Sequence, residues 1–244
     1  EGPYISENRL GAQPPQTREA VLDEILTLHA IAPLKVITLS PETMSDKTVI
    51  TRLSELGIRV QIGHSSGTYE DGVEALEHGV SGFTHLFNGM TGLHHREPGI
   101  VGAALAHAEY AELIPDLLHV HPGAMRVALR SIPHLYCVTD ATAATGMPDG
   151  DYMLGSQPVR KCLGGVRVAN GSLAGSTLTM IEALRNLHSI GLSLADASSR
   201  LSAVPAAYLG LSDRGVLAAG AIADVVELAP DLSLRATYVR GVRH

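Results

Sequence analysis

Short hydrophobic runs recur along this chain at a pace that few architectures can use. They begin at residues 35, 58, 81, 111 and 135, spacings of 23 to 30 residues, with helix-like periodicity between them. That interval suits one strand, one helix and two connections, and so predicts βα units of a parallel sheet. Residues 18–30 have helical spacing with Val21, Ile25 and Leu28 on one face, and residues 35–39 read as a buried strand. Asp46 caps a helix running to Gly57, residues 58–62 form the next strand, and a helix over 69–78 stops at Gly79. Further strands are expected over 81–84, 111–117 and 135–139. Both a closed barrel and a doubly wound sheet have this rhythm. No glycine-rich phosphate fingerprint follows the first strand, which disfavours a dinucleotide-binding fold.

The rhythm changes after Asp140. Residues 141–172 are rich in turn signals, including Pro148-Asp149-Gly150, Gly164-Gly165 and Asn170-Gly171, and residues 166–168 suggest a strand of an inserted hairpin. Helical patterning returns over 177–189 and 193–209. Alternation at 223–228 and 234–239 then predicts a small β-element, the closing part of a second sheet. The expected division is a catalytic domain over residues 1–215 and small-sheet strands over 216–244.

A chain of 244 residues with 45% hydrophobic and 18% charged residues is long and apolar enough for a substantial core. Its formal net charge is −7 and no basic block occurs, which argues against nucleic-acid binding. An anionic small molecule stays compatible, because one arginine can hold a phosphate inside an acidic protein. The two cysteines, Cys137 and Cys162, form no CxxC pair, and a reducing, cytoplasmic setting is expected. No apolar stretch of about 18 residues is present, so no membrane association is expected. The opening Glu1-Gly2-Pro3-Tyr4 carries no initiator methionine and reads like the interior of a protein, so an upstream portion is expected.

Parallel α/β barrels gather their chemistry at the carboxyl ends of their strands. His64 in Gly63-His64-Ser65 and His85 in Thr84-His85-Leu86-Phe87-Asn88-Gly89-Met90 follow successive strands, and Asp140 follows a third. Neighbouring strands lie under about 5 Å apart, so both imidazoles can reach one ion. Glu1 is chemically suited as a third ligand, giving a two-histidine, one-carboxylate set with an open position. Each has a plainer alternative: a helix-capping histidine, a frayed terminal residue, or, for Asp140, a turn cap. Asn88 is a substrate contact or simply a turn residue before Gly89.

Leu118-His119-Val120-His121-Pro122 contains an HxH pair, but a helix beginning near Pro122 would draw His121 away. His119 is therefore read as a substrate-contacting residue and His121 as a helix-start residue. In His94-His95-Arg96-Glu97-Pro98-Gly99, Arg96 is suited to hold an anion, the alternative being a surface pair with Glu97. His29, His78, His107, His134 and His188 fall away from the strand ends and are read as structural or surface residues.

These motifs, with Val138-Thr139-Asp140-Ala141 and Leu173-Ala174-Gly175-Ser176, occur in an order that resembles the N-acetylglucosamine-6-phosphate deacetylase family of the amidohydrolase superfamily. The resemblance runs along essentially the whole chain. It implies a (β/α)8 TIM barrel, here N-terminally incomplete, with a small β-sandwich element at the C-terminus. It implies one divalent ion per chain, zinc or alternatively iron, held by Glu1, His64 and His85. Asp140 would be general base and acid, and His119 would help polarise the acetamide carbonyl. Asn88 and Gly89 would contact substrate, and Arg96 would grip the 6-phosphate, across a homodimer interface if the family pattern holds. The implied reaction is metal-assisted hydrolysis to acetate and glucosamine 6-phosphate.

Three departures stand out. Gln13 occupies a substrate-contact position where much of the family carries histidine. Leu117, in Asp116-Leu117-Leu118-His119, occupies a glycine position and would crowd the turn. The family's first strands have no counterpart here, which would leave barrel edges unpaired. Two other readings stay open: a different amidohydrolase acting on another N-acyl or cyclic amide, and an inactive truncated remnant.

Overall fold

The computed structural model describes residues 1–244. Up to residue 137 it repeats strand and helix. Helix α1 (Leu22–Ile31) leads to β1 (Val36–Leu39), α2 (Thr48–Glu55), β2 (Arg59–Ile62), α3 (Tyr69–Glu77) and β3 (Gly82–Phe83). Helix α4 (Gly99–His107), β4 (Tyr110–Leu113), α5 (Pro122–Ser131) and β5 (His134–Cys137) continue the series. The pairing is parallel throughout: Val36 opposite Arg59, Gln61 opposite Gly82, and Tyr110 opposite His134. The Leu86 N–H donates to the Glu112 carbonyl at 2.9 Å, so β4 continues the row beside β3. The expected α/β parallel arrangement is thus observed.

The expected boundaries hold to within a few residues, with instructive exceptions. The strand expected over 111–117 stops at Leu113, because Pro115 has no N–H to continue a ladder. Helix α4 has no counterpart among the expected elements. Gly99 through Ala104 are all buried, so α4 lacks the one-sided periodicity that marks a surface helix. In α1 only Ile25 of the expected apolar face is buried, while Val21 and Leu28 are 52% and 43% exposed.

Helices pack an aliphatic core against the strands, with Leu39, Ile50, Leu53, Val60, Ile62, Ile100 and Leu113 fully enclosed. Beneath the strand ends lies a polar chain. Thr38 and Thr84 share a hydroxyl hydrogen bond of 2.9 Å, and Thr84 donates to Gln61 Oε1 at 2.7 Å. Gln61 Nε2 donates to Glu112 at 3.0 Å and to the Tyr136 hydroxyl at 2.9 Å, and Tyr136 donates to Glu112 at 2.9 Å. Residues on five successive strand segments are tied by donors and acceptors that satisfy one another, which fixes the relative heights of those segments. Burial pushes the Glu112 carboxyl above its usual range despite these donors.

Past Asp140 the chain forms an antiparallel sheet of β6 (Gly150–Leu154), β7 (Gln157–Cys162) and β8 (Gly165–Arg167), the inserted hairpin expected from its turn residues. Helix α6 (Met180–Ser189) follows. The helix expected over 193–209 is two, α7 (Leu194–Leu201) and α8 (Ala203–Tyr208), broken at Ser202. Pro205 lacks an N–H and its ring clashes with the carbonyl four residues back, which ends α7 at that point. The tail is a separate antiparallel sheet of β9 (Val225–Leu228), β10 (Leu234–Val239) and β11 (Val242–Arg243). Cys137 is buried, Cys162 is exposed, and both are free thiols. No helix is long and apolar enough to cross a membrane.

Candidate metal centre and active site

His64, His85 and Asp140 share an unusual backbone. Their φ angles are +48°, +30° and +49°, in the left-handed region that side chains with a Cβ rarely occupy. Each such residue costs on the order of 1–3 kcal/mol and persists only where its surroundings over-determine it. The surroundings here do so. The Ser6 N–H (3.0 Å) and the Ser40 hydroxyl (2.6 Å) both donate to the His64 carbonyl. The Ser176 N–H donates to the Asp140 carbonyl at 2.6 Å, and the Asn88 side chain donates to the His85 carbonyl at 3.2 Å. The left-handed turn swings each side chain out of its strand into the space above the sheet.

Glu1, His64 and His85 converge there, with ligand atoms all within 4.8 Å of one another. His64 Nε2 lies 2.8 Å from Glu1 Oε1 and 3.0 Å from His85 Nε2, and His85 Nε2 lies 3.6 Å from Glu1 Oε1. His64 Nδ1 is 2.6 Å from the Arg9 carbonyl, which can only accept, so Nδ1 carries the proton. In the neutral ring the Nε2 lone pair then faces a carboxylate oxygen. Two acceptors at that distance repel unless a cation or an extra proton lies between them. The residues present therefore fit a divalent ion, and two imidazoles with one carboxylate are donors suited to zinc or iron. Burial pushes the Glu1 carboxyl up, but the hydrogen bonds and charge of His64 and His85 outweigh it and hold it far below the usual range. Burial opposes charge on His85, while Glu1, Asp140 and Glu112 together raise its pKa. Gln13 Nε2 donates to the same Glu1 Oε1 at 2.6 Å, so its contact here is with the carboxylate.

These groups line one cavity of about 730 Å³ between the strand ends and the inserted sheet. Asp140, Asn88, Gly89, Gln13 and His119 line it as well. Asp140 is open to the cavity, yet the protein packed around it pushes its carboxyl up, with the charge of His85 acting the other way. Asn88 spends its amide N–H groups on the His85 and Leu86 carbonyls, at 3.2 and 3.3 Å, which leaves its oxygen for the cavity. Gly89 has φ +60°, and a Cβ there would lie 3.0 Å from His64 Nδ1.

His119 enters the cavity wall through a local clamp. Asp116 Oδ1 accepts from the backbone N–H groups of Leu118 (2.9 Å) and His119 (2.8 Å), and Oδ2 lies 2.6 Å from His119 Nδ1. Burial raises the Asp116 carboxyl, but the hydrogen bonds from His119 prevail and lower it. An ionised carboxylate only accepts, so Nδ1 is the donor and Nε2 is the nitrogen left for a ligand. The i, i+3 spacing of Asp116 and His119 was the available sequence signal for this pair. Leu117, at the position expected to be crowded, has φ +64°.

His121 caps α5 by accepting from the Gly123 N–H at 3.0 Å and stays out of the cavity, as expected. The five histidines read as structural also lie outside it. Arg96 is exposed and does not line the cavity of its own chain. The inserted sheet and the segment after it supply wall residues that no motif had marked, among them Leu154, Arg167 and Ser172.

A family model described as "Amidohydrolase family" matches residues 3–243. The chain is 40% identical to N-acetylglucosamine-6-phosphate deacetylase of Vibrio furnissii over 99% of its own length and 62% of that protein's. It is also 40% identical to N-acetylgalactosamine-6-phosphate deacetylase of Escherichia coli O157:H7, over 99% of this chain and 66% of the relative. A solved Mycobacterium smegmatis structure, a mutant N-acetyl-D-glucosamine-6-phosphate deacetylase in complex with N-acetyl-D-glucosamine-6-phosphate, superposes with a TM-score of 0.93. That alignment is 34% identical and covers 99% of this chain and 66% of that one. The chain thus spans just under two-thirds of these relatives' lengths. With its paired strand-end histidines and facing carboxylates, the chain belongs to the amidohydrolase family.

Proposed function

We propose that this chain carries the active site of a metal-dependent deacetylase acting on N-acetylglucosamine 6-phosphate, releasing acetate and glucosamine 6-phosphate. The observation that carries this reading is the convergence of Glu1, His64 and His85 with Asp140 in one cavity. The relatives' names supply the substrate. Two relatives at the same 40% identity are named for sugars differing at one hydroxyl, so the galactosamine epimer is a second substrate to assay.

Glu1, His64 and His85 would hold the ion, zinc in this reading. When bound, it would act as a Lewis acid toward the acetamide oxygen and make water a better nucleophile. The chain's own groups carry the proton chemistry. Asp140 retains a proton to higher pH than an ordinary carboxyl, which suits it first to accept a proton from water and then to deliver it to the departing amine. His119, its Nδ1 held by Asp116, would present Nε2 to the acyl oxygen. Asn88 and Gly89 would contact the sugar, and Gln13 would steady Glu1 while remaining within reach of it.

The wider frame follows the same reading. The parallel row belongs to a (β/α)8 barrel over residues 1–215, and residues 216–244 belong to a small β-sandwich, for which the separate tail sheet is the support. Arg96, exposed in one chain, would serve the site of a second copy in a homodimer working in the cytoplasm. Acetate release from N-acetylglucosamine 6-phosphate, with zinc present and Asp140→Asn as control, tests the reading. Release that survives in the control would refute Asp140's role, and no release from either epimer would refute the assignment for this chain.

A further inference from the structure

The two histidines of the centre are not held alike. His64 fixes its ring through Nδ1, 2.6 Å from the Arg9 carbonyl. His85 is as deeply buried, yet its Nδ1 makes no hydrogen bond within the chain. In most metal sites that second nitrogen is bonded and sets the ring's orientation. Without such a bond the ring takes its aim from its main chain, and here that main chain is a left-handed turn with φ +30°. Two of the three groups that hold the turn come from one residue. Glu112, on β4, receives the Leu86 N–H on its carbonyl at 2.9 Å and the His85 N–H on carboxylate Oε2 at 3.4 Å. The Asn88 side chain is the third, donating to the His85 carbonyl at 3.2 Å.

The Glu112 carboxylate is itself held from beneath. Gln61 Nε2 and the Tyr136 hydroxyl both donate to Oε1, at 3.0 and 2.9 Å, which leaves Oε2 for the His85 turn. Both donors are buried, Gln61 on β2 and Tyr136 on β5, so neither can follow the carboxylate if it shifts. The contact with the His85 N–H is long, but a fixed carboxylate acceptor still biases a turn that its own backbone disfavours. Glu112 does not line the cavity, so the proton chemistry there does not use it. The His64 turn draws on other groups altogether, the Ser6 N–H and the Ser40 hydroxyl.

We propose that Glu112 is the positioning residue for His85: it grips the two amide groups of the His85 turn, through its carboxylate and its carbonyl, and so sets where Nε2 points. The grip on the turn rests on its own hydrogen bonds, whereas its consequence for a metal rests on the deacetylase reading above. Buried side chains of β2 and β5 reach the ligand only through this carboxylate. A change at Tyr136, which touches neither histidine of the centre, therefore carries to His85 and leaves His64 alone.

Two measurements are made on the 244-residue chain and on Glu112→Ala, Glu112→Gln and Tyr136→Phe. The first is amide hydrogen exchange with a chelator present, comparing residues 83–90 with residues 62–66. Glu112→Ala should speed exchange over 83–90 about tenfold, the worth of one hydrogen bond, and leave 62–66 unchanged. Glu112→Gln, whose amide oxygen still accepts from the His85 N–H, should keep part of the protection. The second is zinc affinity by competition with a chromophoric chelator. Glu112→Ala should weaken it roughly tenfold, the lower end of what an outer contact is worth to a metal site, and should have no further effect in a His85→Ala background. Wild-type exchange over 83–90 in Glu112→Ala, or equal acceleration of both turns, overturns the proposal, and so does a zinc loss that persists without His85. Should Glu112→Ala fail to fold, Tyr136→Phe carries the test: faster exchange confined to 83–90 supports the proposal and unchanged exchange overturns it. A wild type that binds no zinc, beside Glu112-dependent exchange, sinks the metal reading and leaves the positioning role standing.

Discussion

Gly63 precedes His64 and lies where three strand segments nearly touch, so replacing it with alanine tests how tightly the site is built into the sheet. A Cβ at residue 63 would fall 2.6 Å from Thr38 Cγ2 and 2.8 Å from Thr84 Cβ. Ordinary carbon contacts are about 3.5–4.0 Å, so the overlap is roughly 1 Å on two sides. Neither threonine can yield cheaply. Both are 4% exposed, and their hydroxyls are bonded to each other in the buried chain that continues to Gln61. Overpacking of this kind costs about 1–3 kcal/mol, and breaking the Thr38–Thr84 bond adds about 1–3 kcal/mol. About 3 kcal/mol in total would lower Tm by roughly 6–12 °C in a protein of this size. The control is Gly57→Ala, where φ is +77° but no atom lies within 4 Å, so only backbone strain of about 1–2 kcal/mol is added. Thermal unfolding followed by circular dichroism with a chelator present separates the two effects. Thr38→Ser, which removes Cγ2 and keeps the hydroxyl, should restore part of the loss in the Gly63→Ala background. If Gly63→Ala melts no lower than Gly57→Ala, the close approach does not constrain the sheet and this reasoning is wrong.

Two further outcomes follow from the charged groups. Asp116→Asn keeps the shape of the clamp but can present an N–H to His119 Nδ1, which would move the ring proton to Nε2; kcat for acetate release should fall about 100-fold or more, and an unchanged kcat would rule out tautomer control. For Asp140 the carboxyl is raised in the folded protein, so its contribution is most favourable below the unfolded carboxyl pKa near about 3.9 and is lost as pH rises through the folded value. Metal-free Asp140→Asn should therefore melt above wild type at pH 7, with the gap closing near pH 4; a variant that melts lower at pH 7 contradicts the assigned direction.

The sequence exposed the site better than it exposed the elements around it. His64, His85 and Asp140 were legible because each interrupts an apolar run with a polar residue at a strand end, a pattern that survives boundary errors of two or three residues. His121 was separable from His119 because Pro122 announces a helix start. Features that depend on three-dimensional enclosure left weaker traces. Glu112 in Tyr110-Ala111-Glu112-Leu113 has the alternation of a half-solvated strand, yet its carboxylate joins Gln61 and Tyr136 beneath the site. Helix α4 is buried around its first turns and so has no polar face to reveal its period.

Arg167 was equally unmarked, since an arginine in a Gly-rich hairpin is ordinary until the fold lays that hairpin over the strand ends. The contrast has a physical basis. Residues that terminate strands are set by local backbone chemistry, and here the left-handed turns at His64, His85 and Asp140 place chemistry and chain reversal on the same residues. Residues of the covering segment reach the cavity by register and contact rather than by local propensity. A change confined to β8 should therefore leave the histidine–carboxylate cluster in place, because β8 and the histidine-bearing strand ends belong to different sheets.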